Sequence, residues 1–219
     1  MTRRSEQLTE ELHDYLVAHS AVPDDVLAQL ADETAARFPA AAGMQIGPEQ
    51  GTFMTLLTQL AGASRALEIG TFTGYSSICL ARGLTADGML TCCDVSEEWT
   101  SVARKYWRLA GVADRIRLEL RPALQTLQAM PASELFDVAF IDADKTGYVS
   151  YWDEVVPRIR PGGIILVDNT LSHGRVIDPA TTNKDVVGIR AFNDHAAGDD
   201  RVVLVLLPIG DGLTMARKN

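Results

Sequence analysis

Two carboxylates and an amide follow two apolar segments of the chain. Asp142 ends the segment 136–142, and the adjacent pair Asp168 and Asn169 follows the apolar run 164–167. Oxygen ligands of this kind suit Mg²⁺, which prefers octahedral geometry and keeps several waters, whereas zinc would require His or Cys. A single Asp in such a position more often caps the next helix. The adjacent acid and amide favour a divalent metal site, for Mg²⁺ or alternatively Mn²⁺ or Ca²⁺.

A lysine, Lys145, lies three residues after Asp142. A lysine in such a loop is usually just solvated. Beside a metal ion and in a desolvated pocket, it could lose its proton and act as a general base. The metal would also lower the pKa of a bound phenol, as it does for water. Lys145 and Asp142 are therefore candidate catalytic residues for a reaction at a phenol oxygen, because a phenolate is a better nucleophile than a phenol.

A glycine-containing turn follows an earlier apolar segment. Gly70 and Gly74 allow the backbone to turn tightly and to approach a ligand. Phe72 stands at the position of the second glycine of the G-x-G-x-x-G motif, which admits a pyrophosphate in dinucleotide-binding proteins. Glu68, at the end of the segment, would also repel a pyrophosphate and would suit a cationic ligand. The turn therefore disfavours NAD.

A further acid, Asp94, ends the next apolar segment along the chain. It lies about twenty residues after the glycine turn, where an acid commonly accepts hydrogen bonds from ribose hydroxyls. A nucleoside with a positive charge and no phosphate fits Glu68 and Asp94 together, and S-adenosylmethionine is such a molecule. Either feature alone is explained equally well by ordinary turn chemistry. Their order and spacing favour the cofactor.

Alternating strands and helices are expected to position these residues. Strands are predicted at 65–70, 89–94, 115–120, 136–142 and 164–168, followed by a hairpin of 202–207 and 213–216. The alternation predicts an α/β fold with a mostly parallel sheet, helices on both faces and an antiparallel strand from the hairpin. Ligands of such sheets bind at the carboxyl ends of the strands. Five acids meet there, which costs free energy unless cations bind: Glu68, Asp94, Asp142, Asp144 and Asp168.

Helices are predicted in the first third of the chain and between the strands. They cover 8–16, start again at Pro23 and Pro48, and recur at 76–82, from Ser96 to about 110, from 142 to about 160 and at 184–197. Residues 161–163 predict a turn, and 170–183 a long polar loop. No linker divides the chain. We therefore expect a single domain of residues 1–219, in which a helical appendage (1–62) contributes to the cofactor and acceptor site of an α/β core (63–219).

Composition excludes several classes of protein. Of the 219 residues, 47% are hydrophobic, which excludes disorder, and 20 Lys and Arg against 29 Asp and Glu give a net charge of −9. Nucleic acid and anionic membranes are therefore poor partners. Three cysteines without metal-ligand spacing predict reduced, buried thiols. The chain starts without a signal segment and has no run near the ~20 apolar residues of a membrane span, so a cytoplasmic protein is expected.

Five blocks of sequence resemble one family. The chain is identified as a member of the small cation-dependent class I O-methyltransferases, the group of caffeoyl-CoA and catechol O-methyltransferases and their bacterial relatives. The resemblance covers about residues 40–218. The blocks lie at 44–51, 67–76, 140–145, 167–171 and 207–212.

The resemblance implies a Rossmann-like sheet of seven strands with one antiparallel strand, a homodimer, and an aromatic acceptor with two adjacent hydroxyls. It assigns the cation to Asp142, Asp168 and Asn169, and the role of base to Lys145. The cofactor residues that it implies are Ile46, Glu68, Gly70, Phe72, Ser76, Asp94, Ala123, Asp142 and Asp144. Lys145, Asn169 and His173 are the candidates for contact with the acceptor, although His173 is equally well explained as an exposed loop residue.

Three positions depart from the family pattern. Arg121 stands where a glycine is usual, and its side chain could crowd the adenine edge or point away. Ser172 stands where a tryptophan is common, which leaves a more open or more polar acceptor site. His173 stands where a small or polar residue is common.

The leading hypothesis is a metal-dependent methyl transfer from S-adenosylmethionine to a hydroxyl of a catechol-type small molecule, such as a hydroxycinnamoyl or natural-product catechol. One alternative is methylation of a hydroxylated uridine in tRNA, for which the candidate basic patch is Arg3, Arg4, Arg115, Arg117 and Arg121. Another is a cofactor-binding module without catalysis, although retention of the metal positions and of Lys145 opposes it. A nicotinamide dehydrogenase is disfavoured by the missing glycine, and NADH fluorescence would exclude it.

Overall fold

Seven strands form one mixed sheet in the computed structural model, which describes residues 8–131 and 135–219. In chain order the strands are β1 (Arg65–Ile69), β2 (Met89–Asp94), β3 (Ile116–Leu120), β4 (Phe136–Ile141), β5 (Ile159–Val167), β6 (Val202–Leu207) and β7 (Leu213–Lys218). Their order across the sheet is β3-β2-β1-β4-β5-β7-β6. Strands β1 to β5 run parallel, and β7 is antiparallel to both β5 and β6. The predicted α/β fold with one antiparallel strand is confirmed.

Eight α-helices lie in the described ranges of the chain. They are α1 (Glu10–Ala18), α2 (Asp25–Arg37), α3 (Pro48–Leu60), α4 (Tyr75–Gly83), α5 (Glu97–Leu109), α6 (Ala123–Ala129), α7 (Tyr148–Val155) and α8 (Lys184–Ala197). Their starts follow local chemistry. Asp24 and Ser96 accept hydrogen bonds from the first turns of α2 and α5, and Pro48 occupies the first turn of α3, where no backbone donor is needed.

The core lies on both faces of the sheet because successive strand residues point to opposite sides. In β4, Val138 and Phe140 pack in a cluster with residues of α2, α3, α4 and α5. Ala139 and Ile141 pack in a second cluster with residues of α6, α7 and α8. All four side chains are fully buried. The predicted placement of helices on both faces is therefore confirmed.

The prediction for the segment before β5 is wrong. A helix was expected to about residue 160 and a turn at 161–163. Instead α7 ends at Val155, a 3₁₀ turn covers Val156–Arg158, and β5 begins at Ile159. Phe136 of β4 pairs with Ile159, whereas Val138 pairs with Ile164. Pro161, Gly162 and Gly163 therefore form an irregularity inside β5. Proline and glycine are commonly found at such irregularities in sheets.

A smaller expectation is also corrected. The predicted polar loop 170–183 contains 3₁₀ turns between Ser172 and Ile177, interrupted at His173 and Gly174, which have positive φ.

The cysteines are unpaired and buried, as predicted. Burial raises the pKa of the Cys79 and Cys93 thiols to about 12. Within the described ranges, every helix is too short or too polar to cross a membrane.

Candidate active site

The carboxyl ends of β4 and β5 hold Asp142 and Asp168 at one edge of the sheet. The backbone N–H of Asp142 donates to the carbonyl of Ile69 over 2.8 Å, and that of Asp168 donates to the carbonyl of Ile141 over 3.0 Å. Asp168 is buried and Asp142 is half-buried. Asn169 has a left-handed φ of +57°, and its N–H donates to Asp168 Oδ1 over 2.6 Å. The three predicted metal-ligating residues are thus neighbours.

The electrostatics of this edge suit a divalent cation. Burial, and then the negative charge of Asp142, raise the pKa of Asp168 above its ordinary value. A cation between the two carboxylates would remove that penalty. Residues 8–131 and 135–219 contain no group of three or more His, Cys, Asp or Glu that could hold a metal. A cation here would therefore need the amide oxygen of Asn169 and water as further ligands, a donor set that fits Mg²⁺, Mn²⁺ or Ca²⁺ and not zinc.

A hydrogen-bonded network joins Lys145 to this edge. Lys145 Nζ donates to Asp142 Oδ1 and to the Tyr148 hydroxyl, over 2.7 Å in each case. The Tyr148 hydroxyl in turn donates to the carbonyl oxygen of Asp168 over 3.1 Å. Tyr148 is completely buried, and burial raises its pKa well above the ordinary value, so it remains a neutral donor. The network fixes the amine of Lys145 within hydrogen-bond distance of one candidate metal ligand.

The glycine turn after β1 touches the same edge. Gly70 has φ +90°, and a Cβ atom there would lie 1.8 Å from the carbonyl oxygen of Asp142. Phe72 also has positive φ, +50°, although it has a side chain. Its ring packs edge-on against Trp99, with centroids 5.1 Å apart. Trp99 is therefore a packing residue for the turn.

Asp94 holds the turn in place. Its Oδ2 accepts hydrogen bonds from the backbone N–H groups of Thr71 and Phe72, each over 2.9 Å, and its Oδ1 accepts one from Ser96 over 2.8 Å. A carboxylate has about four lone-pair sites and three are used here, so one further donor can still bind at Oδ1. The residue that was predicted to bind ribose thus also fixes the conformation of the turn, a role that its sequence position did not indicate.

Glu68 lies beneath the first turn of α4. Ser76 Oγ donates to its Oε1 over 2.6 Å, and Ser77 Oγ donates to its Oε2 over 2.5 Å. The carboxyl group is completely buried, and this burial raises the pKa of Glu68 to about 7, against the lowering effect of the two serines. Ser76, another predicted cofactor residue, therefore acts on Glu68 directly.

We expect Glu68 to make folding stability depend on pH. The unfolded chain ionises Glu68 near pH 4.5 and the folded chain near pH 7, so its stabilising contribution is lost as the pH rises between these values. At about 1.4 kcal/mol per pH unit, the loss is about 3 kcal/mol. The Glu68→Gln variant should lack this pH dependence. A serine hydroxyl can either donate or accept a hydrogen bond, so Ser76 and Ser77 can still pair with the amide. Urea unfolding of both proteins at several pH values measures the difference, and parallel stability curves would contradict the prediction.

The other predicted cofactor residues are placed as follows. Ala123 begins α6 and Ile46 precedes α3, and both are buried. Asp144 is exposed and accepts a hydrogen bond from the Tyr151 hydroxyl over 2.5 Å. Arg121 folds back, donating to Glu119 Oε2 and Thr126 Oγ1 over 3.0 Å each. Of the two orientations left open for Arg121, the structure shows a side chain committed to these protein partners.

The loop after β5 is fixed by the turn between β6 and β7. The N–H of Leu171 donates to the carbonyl of Asp211 over 2.9 Å, and the N–H of His173 donates to the Asp211 carboxylate. Ser172 is buried and accepts a hydrogen bond from Arg175 over 3.2 Å. The His173 side chain is 77% exposed, with Nε2 3.6 Å from Asp211 Oδ2. His173 therefore lies at the surface in this conformation, as expected for an exposed loop residue.

Two side chains of the site, Gln50 and Tyr148, were not predicted from the sequence. Gln50 Nε2 donates to Asp168 Oδ2 over 2.7 Å. Its spacing from Met54 and Thr58 placed it on the buried face of α3, where a polar side chain needs a partner. Tyr148 follows Lys145 by three residues, which places both on consecutive turns of a helical segment. These signals were present but did not identify the partners.

Solved O-methyltransferases from Klebsiella pneumoniae and Bacillus cereus share this seven-stranded fold, each with a TM-score of 0.87, so the fold is that of a class I methyltransferase. A model of the O-methyltransferase family matches residues 17–219. The chain therefore belongs to the O-methyltransferase family.

Individual relatives agree with this assignment. A Dictyostelium discoideum protein described as "Probable caffeoyl-CoA O-methyltransferase 2" is 40% identical over 216 residues, covering 97% of this chain and 93% of its own length. The O-methyltransferase from Bacillus cereus, solved with SAH, is 34% identical with a TM-score of 0.87, covering 95% of this chain and 97% of that one. TomG from Streptomyces achromogenes, solved with SAM and involved in tomaymycin synthesis, is 31% identical with a TM-score of 0.87, covering 95% and 96%.

Proposed function

We propose that this protein transfers the methyl group of S-adenosylmethionine to one hydroxyl of a vicinal dihydroxy aromatic small molecule, with help from a divalent cation. The observation that carries the proposal is the juxtaposition of Asp142, Asp168 and Lys145 at the edge of the sheet that Gly70 also touches. Two acids that could bind a cation, a basic amine and a tight glycine turn thus lie together at one edge of the sheet.

The cofactor would occupy the side of the site formed by the turn after β1. Glu68 and Ser76 would lie at its methionine end, with Gly70 and Phe72 in the turn, and Asp94 would accept from its ribose. Ala123 would lie beside the adenine, and Ile46, Asp142 and Asp144 would complete the wall. Two structures of relatives contain SAM or SAH, which supports this ligand.

The cation would be held by Asp142, Asp168 and Asn169, with Mg²⁺ as the first choice and Mn²⁺ or Ca²⁺ as alternatives. When bound, it would stabilise negative charge on the acceptor oxygens. As a neutral amine, Lys145 Nζ would receive the proton that leaves the acceptor hydroxyl. The oxygen would form its bond to the methyl carbon as the sulfur–carbon bond of S-adenosylmethionine breaks and S-adenosylhomocysteine leaves. Asn169 and His173 would line the acceptor side, where relatives named for caffeoyl-CoA suggest a hydroxycinnamoyl acceptor.

We expect Lys145→Met to lower kcat by about 10²–10⁴-fold, the usual contribution of a general base. Lys184→Met, on the exposed start of α8, provides a matched control that removes a lysine away from the site. Methyl transfer at saturating cofactor, acceptor and Mg²⁺ measures the effect. Equal rates for the two variants would remove Lys145 from the mechanism.

The proposal is tested by methyl transfer from labelled S-adenosylmethionine to a panel of acceptors, with Mg²⁺ and with EDTA. The panel contains caffeic acid, its CoA thioester, dihydroxybenzoic acid and a flavonoid catechol, each beside its monohydroxy analogue. Product from the catechols alone, lost with EDTA, supports the proposal. Full activity with excess EDTA would contradict the role of the cation, and equal methylation of the monohydroxy analogues would contradict the acceptor class.

Methylation of tRNA receives no support from the candidate basic patch. Arg3 and Arg4 lie outside the described residues. Arg115 donates to the carbonyls of Leu84 and Thr85 over 3.1 and 2.8 Å. Arg117 and Arg121 both pair with Glu119, so their charges are already partly balanced.

We also propose that residues 1–219 act as one domain, in which the helical appendage (1–62) completes the site of the α/β core (63–219). The contact from Gln50 to Asp168 supports this arrangement. A homodimer in the cytoplasm is the proposed state. Apolar side chains of the N-terminal segment that a second copy could cover are exposed, namely Leu8, Leu12, Tyr15 and Leu16. Light scattering of the full chain tests the assembly.

A further inference from the structure

The buried face of α3 carries a polar side chain aimed at Asp168. Gln50 is 2% exposed, and its Nε2 donates to Asp168 Oδ2 over 2.7 Å. Met54 and Thr58 occupy the same face at the next two turns, and both are inaccessible. A buried amide costs free energy unless it is hydrogen-bonded, and an apolar residue would pack here without that cost. We therefore expect the side-chain amide of Gln50 to have a role other than packing.

The carboxylate of Asp168 is restrained at both oxygens. Gln50 binds Oδ2, and the backbone N–H of Asn169 binds Oδ1 over 2.6 Å. Rotation of the carboxylate would break both hydrogen bonds, so the remaining lone pairs keep fixed directions. Groups that hold a metal ligand in this way strongly influence metal affinity.

We propose that Gln50 is a positioning residue that orients Asp168 for the divalent cation, an inference that rests on the proposed cation site. The chemistry of an amide suits this task. A lysine in its place would donate to Asp168 but would neutralise the charge that attracts the cation. A glutamate would add a third negative charge next to Asp142 and Asp168. The amide orients Asp168 and leaves the charge of the site unchanged.

Gln50 lies directly against the turn between β6 and β7. Gly210 has φ +55°, and a Cβ atom there would lie 2.5 Å from Gln50 Oε1. The same turn fixes the loop after Asn169 through hydrogen bonds from Thr170 and Leu171. The orientation of Asp168 therefore depends on contact between α3, the end of β5 and this turn.

The test is calorimetric titration of the full chain with Mg²⁺, without cofactor or acceptor. Gln50→Met keeps the length of the side chain and removes the donor, and Gln59→Met makes the same change at an exposed position of α3. We expect Gln50→Met to raise the Mg²⁺ Kd by about 10–100-fold, the range seen when such supporting groups are lost. Gln59→Met should bind Mg²⁺ like the original chain, and all three should bind S-adenosylmethionine equally. Activity of Gln50→Met should recover as Mg²⁺ is raised.

The outcomes separate the two proposals. If the original chain fails to bind Mg²⁺, or if Asp142→Ala binds it with the same Kd, the proposed cation site itself is wrong. If the original chain binds and Gln50→Met binds with the same Kd, the cation site stands and the role of Gln50 is wrong. Should Gln50→Met not fold, Gln50→Asn retains the amide but withdraws it from Asp168, and the same weakening is expected. A lower Tm with unchanged Mg²⁺ Kd in a folded variant would show a merely structural role and overturn the inference.

Discussion

Asp168→Asn is expected to lower methyl transfer by about 10³-fold or more and to leave the protein at least as stable as before in EDTA. The loss follows because a cation that stabilises charge on the reacting oxygens contributes several kcal/mol to catalysis, and about 1.4 kcal/mol is worth a factor of ten. Asparagine keeps the shape of the side chain and removes half of the negative charge of the Asp142–Asp168 pair.

The stability of the variant follows from the cost of the buried charge. Burial and the neighbouring Asp142 raise the pKa of Asp168, so its ionised form opposes folding when no cation is present. The Asn variant lacks this charge. Its oxygen can accept from the N–H of Asn169 in place of Oδ1, and its amide nitrogen can donate to Gln50 Oε1 once the Gln50 amide is flipped. Activity at saturating Mg²⁺ and thermal unfolding in EDTA measure the two effects, with Asp87→Asn on an exposed turn as control. Retained activity would contradict the assignment of Asp168.

Local sequence patterns were sufficient to predict most of the sheet. Most strands of the parallel core are short, mainly apolar segments between turn residues, whereas β3 alternates apolar and charged residues. β2 has the bounds expected, Met89–Asp94. Because parallel strands end at one edge, the positions of Asp142 and Asp168 at that edge followed from the order of elements. The structure of residues 161–163 could not be predicted from the local sequence. Pro and Gly indicate a departure from regular structure but do not show whether it is a turn or an irregular strand.

The contacts that complete the site could not be predicted because they join distant segments. Gln50 and Asp168 are 118 positions apart, and nothing in either neighbourhood identifies the other. Asp94 was expected to face a ligand, yet it also holds two N–H groups of the glycine turn, 22 and 23 positions earlier. Such pairings depend on the path of the chain through three dimensions. The residue types indicated the chemistry of the site, and tertiary contacts determined which side chains support it.

Gly70→Ala is expected to destabilise the fold by at least about 3 kcal/mol, from positive-φ strain and from a forced movement of packed backbone. The added Cβ would lie 1.8 Å from the carbonyl oxygen of Asp142 and 2.6 Å from its carbonyl carbon. No side-chain rotation can relieve a contact between two backbone segments. The ends of β1 and β4 would have to separate, although β1 and β4 are paired up to Ile69 and Ile141.

The matched control for this variant is Gly111→Ala. Gly111 also has positive φ, +68°, but a Cβ atom there has no neighbour within 4 Å. It should lose only about 1–2 kcal/mol, the cost of the left-handed conformation for a residue with a side chain. Denaturant unfolding of both variants separates strain from the clash, and equal losses would mean that the contact with Asp142 is unimportant. Because separation of β1 and β4 also displaces Asp142, the Gly70 variant should lose Mg²⁺ and S-adenosylmethionine binding together, whereas the Gly111 variant should retain both. The close approach that admits only glycine at position 70 is thus what would bring the cofactor turn and the cation site into one active site.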